Sequence, residues 1–303
     1  RMLREEVKTA FYDLFLAQER LALADRAITL NRQLLEVTRE RLEAGDIPEL
    51  EMNLVKVELA RSEAAMLDLE VTRHQNQVKL STLMGLPLDD SPAIVGTFAD
   101  EASPAKNLVE LKQTSIVQRP DLKALETEKT RGEEELALAR AEGVPNITAG
   151  LTFKSDTTVT ELNGFEDKDT TYTMGLKLSM PIPLFDSNQA EVQAAGARRS
   201  VIESRYSAAV QITEREVATA HAGLKNAEKI LSLYRTKIMP QFEENLKLTQ
   251  EAYRLGEIGI LAVIQEQKKF FEVNDGYLTA LHNRQTALIK LETAVAIDLD
   301  GGV

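Results

Sequence analysis

The chain interrupts its long helical stretches twice with nearly the same hexapeptide, and this repetition limits the possible fold more than any other feature. GDIPEL occupies positions 45–50 and GEIGIL positions 256–261, about 211 residues apart. Laid on each other without gaps, residues 45–86 and 256–297 match well beyond the hexapeptides. Gly45 meets Gly256, Ile47 meets Ile258, Leu50 meets Leu261, Leu67 meets Leu278, Arg73 meets Arg284 and Leu80 meets Leu291. Upstream, a slip of one residue aligns Val7, Thr9 and Ala10 with Val217, Thr219 and Ala220. A helix–turn–helix unit of about 85 residues therefore occurs twice. Two long antiparallel hairpins predict an elongated, coiled-coil protein.

The helices follow from spacing and punctuation. Residues 1–44 read as one helix, with Leu23, Ala27, Leu30, Leu34 and Val37 forming a seam at spacings of four and three. A second helix runs from Glu49 to Met84, followed by a Gly-, Pro- and Asp-rich loop and a short helix around Leu108–Lys112. Pro120 suits a first helical turn and Gly143 a C-cap. From Ala190 to Leu255 the pattern is helical again, with a kink or break expected at Pro240. The last helix spans Leu261 to Asp298.

Between the two repeats the period changes to two. Ile147, Ala149, Leu151 and Phe153 alternate with polar or small residues, as do Tyr172, Met174, Leu176, Leu178 and Met180. These read as two strands of about ten residues, joined by a polar, acidic linker over Ser155–Asp169. Such strands have the length and alternation of an outer-membrane barrel strand. A hairpin packed on helices in a soluble domain has a similar pattern.

Composition narrows the function. A net charge of -12 without basic clusters argues against nucleic-acid binding. Zero cysteines leave no disulfide, thiolate metal site or Cys nucleophile. His74, His221 and His282 lie apart, without metal-ligand spacing or a triad motif, and Met52, Met66 and Met84 are dispersed. No phosphate-binding GxxxxGK[ST] loop is present. The expectation is no enzyme, no cofactor and no metal. No apolar run reaches the length of a transmembrane helix.

In order along the chain, RPDL at Arg119–Leu122, ARAEGVPNITAGLTF, LSMPIPLFDSNQAEVQAA with Pro181, Pro183 and Phe185, Pro240, and AYRLGEIGILAVI resemble the TolC-like outer-membrane efflux proteins. The resemblance implies a mainly α fold with a small β part: two repeated coiled-coil hairpins in the α-barrel of a trimer, and a β-hairpin given to an outer-membrane β-barrel. Its implied organisation is a first helical hairpin over 1–86, an equatorial loop and short helix over 87–117, a helix over 118–143, barrel strands over 144–182, a second helical hairpin over 183–298 and a tail over 299–303. A signal peptide, any lipidated N-terminal Cys and a first strand pair are expected upstream of residue 1.

The resemblance also implies function. The chain would be the outer-membrane channel of a tripartite efflux pump in a Gram-negative bacterium, with a large periplasmic part. Its partners would be a homotrimer, a periplasmic adaptor, an inner-membrane pump and outer-membrane lipid, with no nucleic acid. A periplasmic coiled-coil adaptor or structural interaction protein is the alternative. By position, Tyr253 matches a gate tyrosine and Glu51 its acidic partner. Ile258 stands where an arginine is usual, and Gln265 where an aspartate forms a charged ring, with Glu266 or Glu257 able to supply the charge. The adaptor-docking tips would be Gly45, Ile47 and Leu50 with Gly256, Ile258 and Leu261. The lipid face would be Ile147, Leu151, Phe153, Tyr172, Leu176 and Leu178. Pro48 and Glu49 are expected to stiffen the first tip, and Gly259 and Ile260 to leave the second freer.

Overall fold

The computed structural model describes residues 1–87, 94–96, 98, 107–162 and 164–299. The chain divides into two units, Arg1–Arg119 with Ile212–Val303, and Pro120–Gln211. In chain order the elements are α1 (Met2–Glu43), α2 (Glu49–Met84), α3 (Leu108–Gln118), α4 (Pro120–Glu142), β1 (Thr148–Leu162), β2 (Phe165–Ser179), α5 (Gln189–Leu233), a π-helical turn (Tyr234–Ile238), α6 (Met239–Arg254) and α7 (Ile260–Val295). The fold is mainly helical with one antiparallel strand pair.

The repeat is visible in the backbone. Helices α2 and α7 each have 36 residues, about 54 Å of helix. Both the start and the end of α7 are displaced by the same 211 positions as the hexapeptides. Each ends in the left-handed region, α2 at Gly85 with φ of 68° and α7 at Ala296 with φ of 63°. The alanine carries a steric cost of roughly 1 kcal/mol that glycine avoids.

The one-residue slip also has a structural counterpart. Upstream residues align at one register and downstream residues at a register longer by one, so the second copy holds an extra residue. Between the two registers lies the π turn, where the Met239 N–H reaches back to Tyr234 O. A π turn closes five residues instead of four, so it absorbs one extra residue without ending the helix. It also precedes Pro240, which has no N–H to donate and whose ring would crowd the preceding α turn. The expected break at Pro240 is thus a change of helical pitch just before it. There the Tyr234 ring lies against α7 at Gly276, where a Cβ would stand 2.5 Å from its hydroxyl.

In the first unit, α1 and α2 form the first hairpin, closed by Ala10, Leu14 and Leu80. Leu111 of α3, Val217 and Leu224 of α5, and Leu288, Leu291 and Val295 of α7 form a second cluster. Asn107 and Glu110 make a reciprocal capping box that starts α3, and α3 continues to Gln118, beyond the expected Leu108–Lys112. Arg119, 4% exposed, donates to Glu216 at 2.5 Å and to the Ala294 carbonyl at 3.4 Å. The arginine of the RPDL motif is therefore an internal brace. Much of the loop expected over 87–117 lies outside the described residues, as does the tail beyond Leu299.

In the second unit, α4 packs on the start of α5 through Leu136, Ala139, Val192 and Ala195. Asn188, at a φ of 64°, sends its side-chain amide to the Ala139 carbonyl at 2.8 Å. The strands are longer than expected, 15 residues each, and most of the polar linker over Ser155–Asp169 is itself paired strand. Alternation marks a strand only while one face is apolar. The Thr-rich continuation keeps β propensity but is polar on both faces, so its pattern is silent.

Polar contacts tie the two hairpins together. Asp13 of α1 meets His282 Nε2 of α7 at 2.9 Å and Lys79 Nζ of α2 at 3.0 Å, while Asn76 of α2 donates to its backbone carbonyl at 3.2 Å. The hydrogen bond with His282, helped by Lys79 and opposed by partial burial, holds the Asp13 carboxyl below its ordinary 3.8. A depressed folded-state pKa contributes stability that is complete above the unfolded value and disappears as pH falls through the folded one. Unfolding of the intact protein followed against pH is expected to show wild type losing stability more steeply than Asp13→Asn below about pH 4. At neutral pH the substitution is expected to cost about 1 kcal/mol.

Candidate functional site

The two hairpin ends have the same backbone. Gly45, at a φ of 81°, donates to Leu42 O, and Asp46 donates to Arg41 O. Gly256, at a φ of 79°, donates to Tyr253 O, and Glu257 donates to Ala252 O. Both are Schellman caps, in which a left-handed glycine lets two amides return to the last helical turn. Ile47 is buried and Ile258 packs against the core, while Leu50 and Leu261 point outward with 66% and 56% exposure.

Next to the ends lies a core of Leu34, Val55, Tyr253, Ile260, Val263 and Ile264. It places Ile260, 2% exposed, inside the packing. The apolar character expected to free the second tip instead anchors it.

Tyr253 is the centre of this end. It is 1% exposed, and its hydroxyl is 3.3 Å from Thr38 Oγ1 on α1. Thr38 donates its own proton to Leu34 O at 2.7 Å, so Tyr253 is the donor between them. Arg41, one turn further along α1, donates to the Tyr253 carbonyl at 2.9 Å. Its guanidinium carbon lies 4.7 Å from the tyrosine ring centroid, a cation–π arrangement. The same guanidinium is 3.6 Å from where a Cβ on Gly256 would be. One arginine of the first hairpin thus holds the Tyr253 carbonyl and ring, beside the glycine turn of the second.

The other expected site residues lie elsewhere. Glu51 is in the first turn of α2 and does not meet Tyr253; its Oε2 is buried without a partner. Glu266 is half-buried and faces Lys269 at 3.7 Å, while Gln265 and Glu257 are exposed. Sequence reading missed Thr38 and Arg41. A register signal existed for Thr38: it follows Leu34 by one helical turn and so shares its buried face. Arg41 had none, because the repeat pairs it with Ala252.

Among the described residues no group of three or more His, Cys, Asp or Glu could hold a metal ion, and no helix is long and apolar enough to cross a membrane.

The sequence pattern of the family described as outer membrane efflux protein matches residues 111–296. The chain belongs to the outer membrane efflux protein family. Curated relatives include the cobalt-zinc-cadmium resistance protein CzcC of Cupriavidus metallidurans, 22% identical, with 92% of this chain and 64% of the relative covered. Another is the outer membrane protein OprJ of Pseudomonas aeruginosa, 27% identical, with 98% of this chain and 62% of the relative covered. Among solved structures, CusC superposes with a TM-score of 0.76 at 19% identity, covering 97% of this chain and 68% of that one. The open state of the MtrE outer membrane channel of Neisseria gonorrhoeae superposes at 0.72 and 22% identity, covering 98% and 66%. The chain thus has the fold of the family's channels. It spans under two thirds of the length of these curated relatives.

The clamp at Tyr253 has a testable asymmetry. Thr38→Val removes the acceptor and strands a buried hydroxyl, so it is expected to destabilise by about 1–3 kcal/mol. Adding Tyr253→Phe removes the stranded donor and is expected to restore most of that loss. Denaturant unfolding of the single and double variants measures both.

Proposed function

We propose that this chain is the outer-membrane exit duct of a tripartite efflux pump. Its strand pair joins a β-barrel shared by three protomers, and its helices form a periplasmic α-barrel. The hairpin ends meet a periplasmic adaptor, and an inner-membrane pump supplies the energy. Family membership and the family's channel fold support the reading.

The observation that carries the trimer is a difference between the two copies of the repeat. Helix α2 leaves Leu50, Leu54, Val57, Leu67 and Val71 exposed along one helical face. Their counterparts on α7 are Leu261, Gln265, Lys268, Leu278 and His282. Helix α2, unlike α7, thus carries an apolar line left uncovered by the described residues of its own chain, as expected where a neighbouring protomer completes the wall.

The gate of this duct is the contact between Arg41, Thr38 and Tyr253. Arg41 takes the role of the arginine absent at Ile258, but from the other hairpin. Glu51, with its buried oxygen free, is the acceptor available to Tyr253 once the ends rearrange, and Glu257, Gln265 and Glu266 set the polarity of the mouth. The exposed Leu50 and Leu261, beside Gly45, Ile47, Gly256 and Ile258, offer apolar contacts to the adaptor.

Two experiments test this reading. The full-length protein is expected to fractionate with the outer membrane as a trimer, and recovery as a soluble periplasmic monomer would overturn it. In planar bilayers, Arg41→Ala combined with Tyr253→Phe is expected to raise single-channel conductance several-fold, with Glu51→Gln adding to the effect. Unchanged conductance would remove these residues from the gate.

A further inference from the structure

The strand pair changes character halfway along its length. Residues facing the same side pair as Ala149 with Leu178, Leu151 with Leu176 and Phe153 with Met174, all apolar. The next pairs on that side are Ser155 with Tyr172, Thr157 with Thr170, Val159 with Lys168 and Glu161 with Glu166. The opposite side is small, polar or charged throughout, from Gly150 with Lys177 to Thr160 with Asp167. Phe153 and Tyr172 stack at the changeover, their ring centroids 5.9 Å apart.

Lengths decide what this means. Strands of 15 residues extend about 50 Å, or about 38 Å in height at a tilt of about 40°. The apolar band of an outer-membrane barrel is about 25 Å tall. The strands are therefore longer than the band. The apolar runs Ile147–Phe153, entering β1, and Tyr172–Met180, leaving β2, rise about 18 and 23 Å at that tilt, so they alone nearly fill the band. Beyond it, Glu161 and Glu166 face each other on the side that would touch lipid. Two opposed carboxylates in hydrocarbon are untenable, whereas in water they cost little. Aromatic rings are favoured at the boundary between lipid and water, where this chain has its stacked pair.

We infer that lipid contact ends at the Phe153–Tyr172 pair, and that residues 156–162 and 164–171 stand clear of the bilayer as a water-exposed, acidic β-hairpin on the outer face of the cell. The inference rests on the outer-membrane reading above and sharpens it. The apolar half of the hairpin fits lipid, the aromatic pair fits the headgroup layer, and the outer half fits only water. Its turn is made by Gly164, at a φ of 82°.

The absence of cysteine from these residues makes single-cysteine labelling direct. Thr157→Cys, Thr170→Cys, Leu151→Cys and Leu176→Cys are placed one at a time in the full-length protein. Intact cells are treated with a membrane-impermeant maleimide. Thr157→Cys and Thr170→Cys are expected to label, and Leu151→Cys and Leu176→Cys to stay unlabelled. Silence at both outer positions in a protein that still fractionates with the outer membrane overturns the inference and leaves the outer-membrane reading standing. Labelling at Leu151→Cys and Leu176→Cys as readily as at the threonines overturns it too, by moving the boundary. If all four react only after the outer membrane is permeabilised and the protein no longer fractionates with it, the outer-membrane reading itself has failed and the inference falls with it.

Discussion

The packing of α7 against α1 joins the two copies of the repeat, and the arrangement of both hairpin ends depends on it. Along this contact Lys8 reaches Glu292 at 2.5 Å, Asp13 meets His282, and Arg20 grips Asp275 through two nitrogens at 2.6 and 3.0 Å. Positions rise on α1 as they fall on α7, so the helices run antiparallel. Charged pairs fix register where apolar seams alone leave it loose, because an ion pair shifted by one turn loses its partner. Towards the hairpin ends the contact becomes apolar around Val263 and Ile264, and beside it Arg41 and Thr38 of α1 clamp Tyr253 of α6.

The same backbone unit is used for two purposes. The ends of the hairpins are conformational copies, down to the same glycine caps. Their side chains differ where the environments differ. Helix α7 buries Arg284, Gln285 and Glu292 among its core residues; Arg284 donates to Gln285 at 3.4 Å and Glu292 accepts from Lys8 of α1. Helix α2 buries few residues and keeps its apolar line outward. On the proposed reading, that outward line is what a neighbouring protomer would cover.

Much of this was legible in the sequence, for physical reasons that also explain what was not. The caps needed glycine at a left-handed position, so Gly45 and Gly256 announced both turns. The one-residue slip in the alignment foreshadowed the π turn, although only Pro240 was read as the disturbance. The seam of Leu23, Ala27, Leu30, Leu34 and Val37 gave the helix but not its buried face. That face runs through Ile28, Asn31, Leu34 and Thr38, and two of these are polar. Hydrophobic periodicity can place such a residue on the buried face, as Leu34 does for Thr38, but it does not name the partner on another helix. The same limit hid Arg41 and left Tyr253 paired with Glu51 on paper. The outer half of the strand pair was invisible because a strand wet on both faces has no period.

Helix α7 is the fixed beam of the first unit and α6 its looser companion. Helix α6 buries only Leu246 and Tyr253 and begins at a π turn with no buried residue. Residues 280–295 of α7, by contrast, are mostly buried and are held from α1, α3 and α5. Hydrogen–deuterium exchange of the intact protein tests this most directly, since amide protection reports the free energy of local opening. Amides of 280–295 are expected to be among the last to exchange, and those of 239–258 to exchange well before them. Exchange of 280–295 together with or ahead of α6 would contradict the account, because the second hairpin would then be hung from neither copy of the repeat.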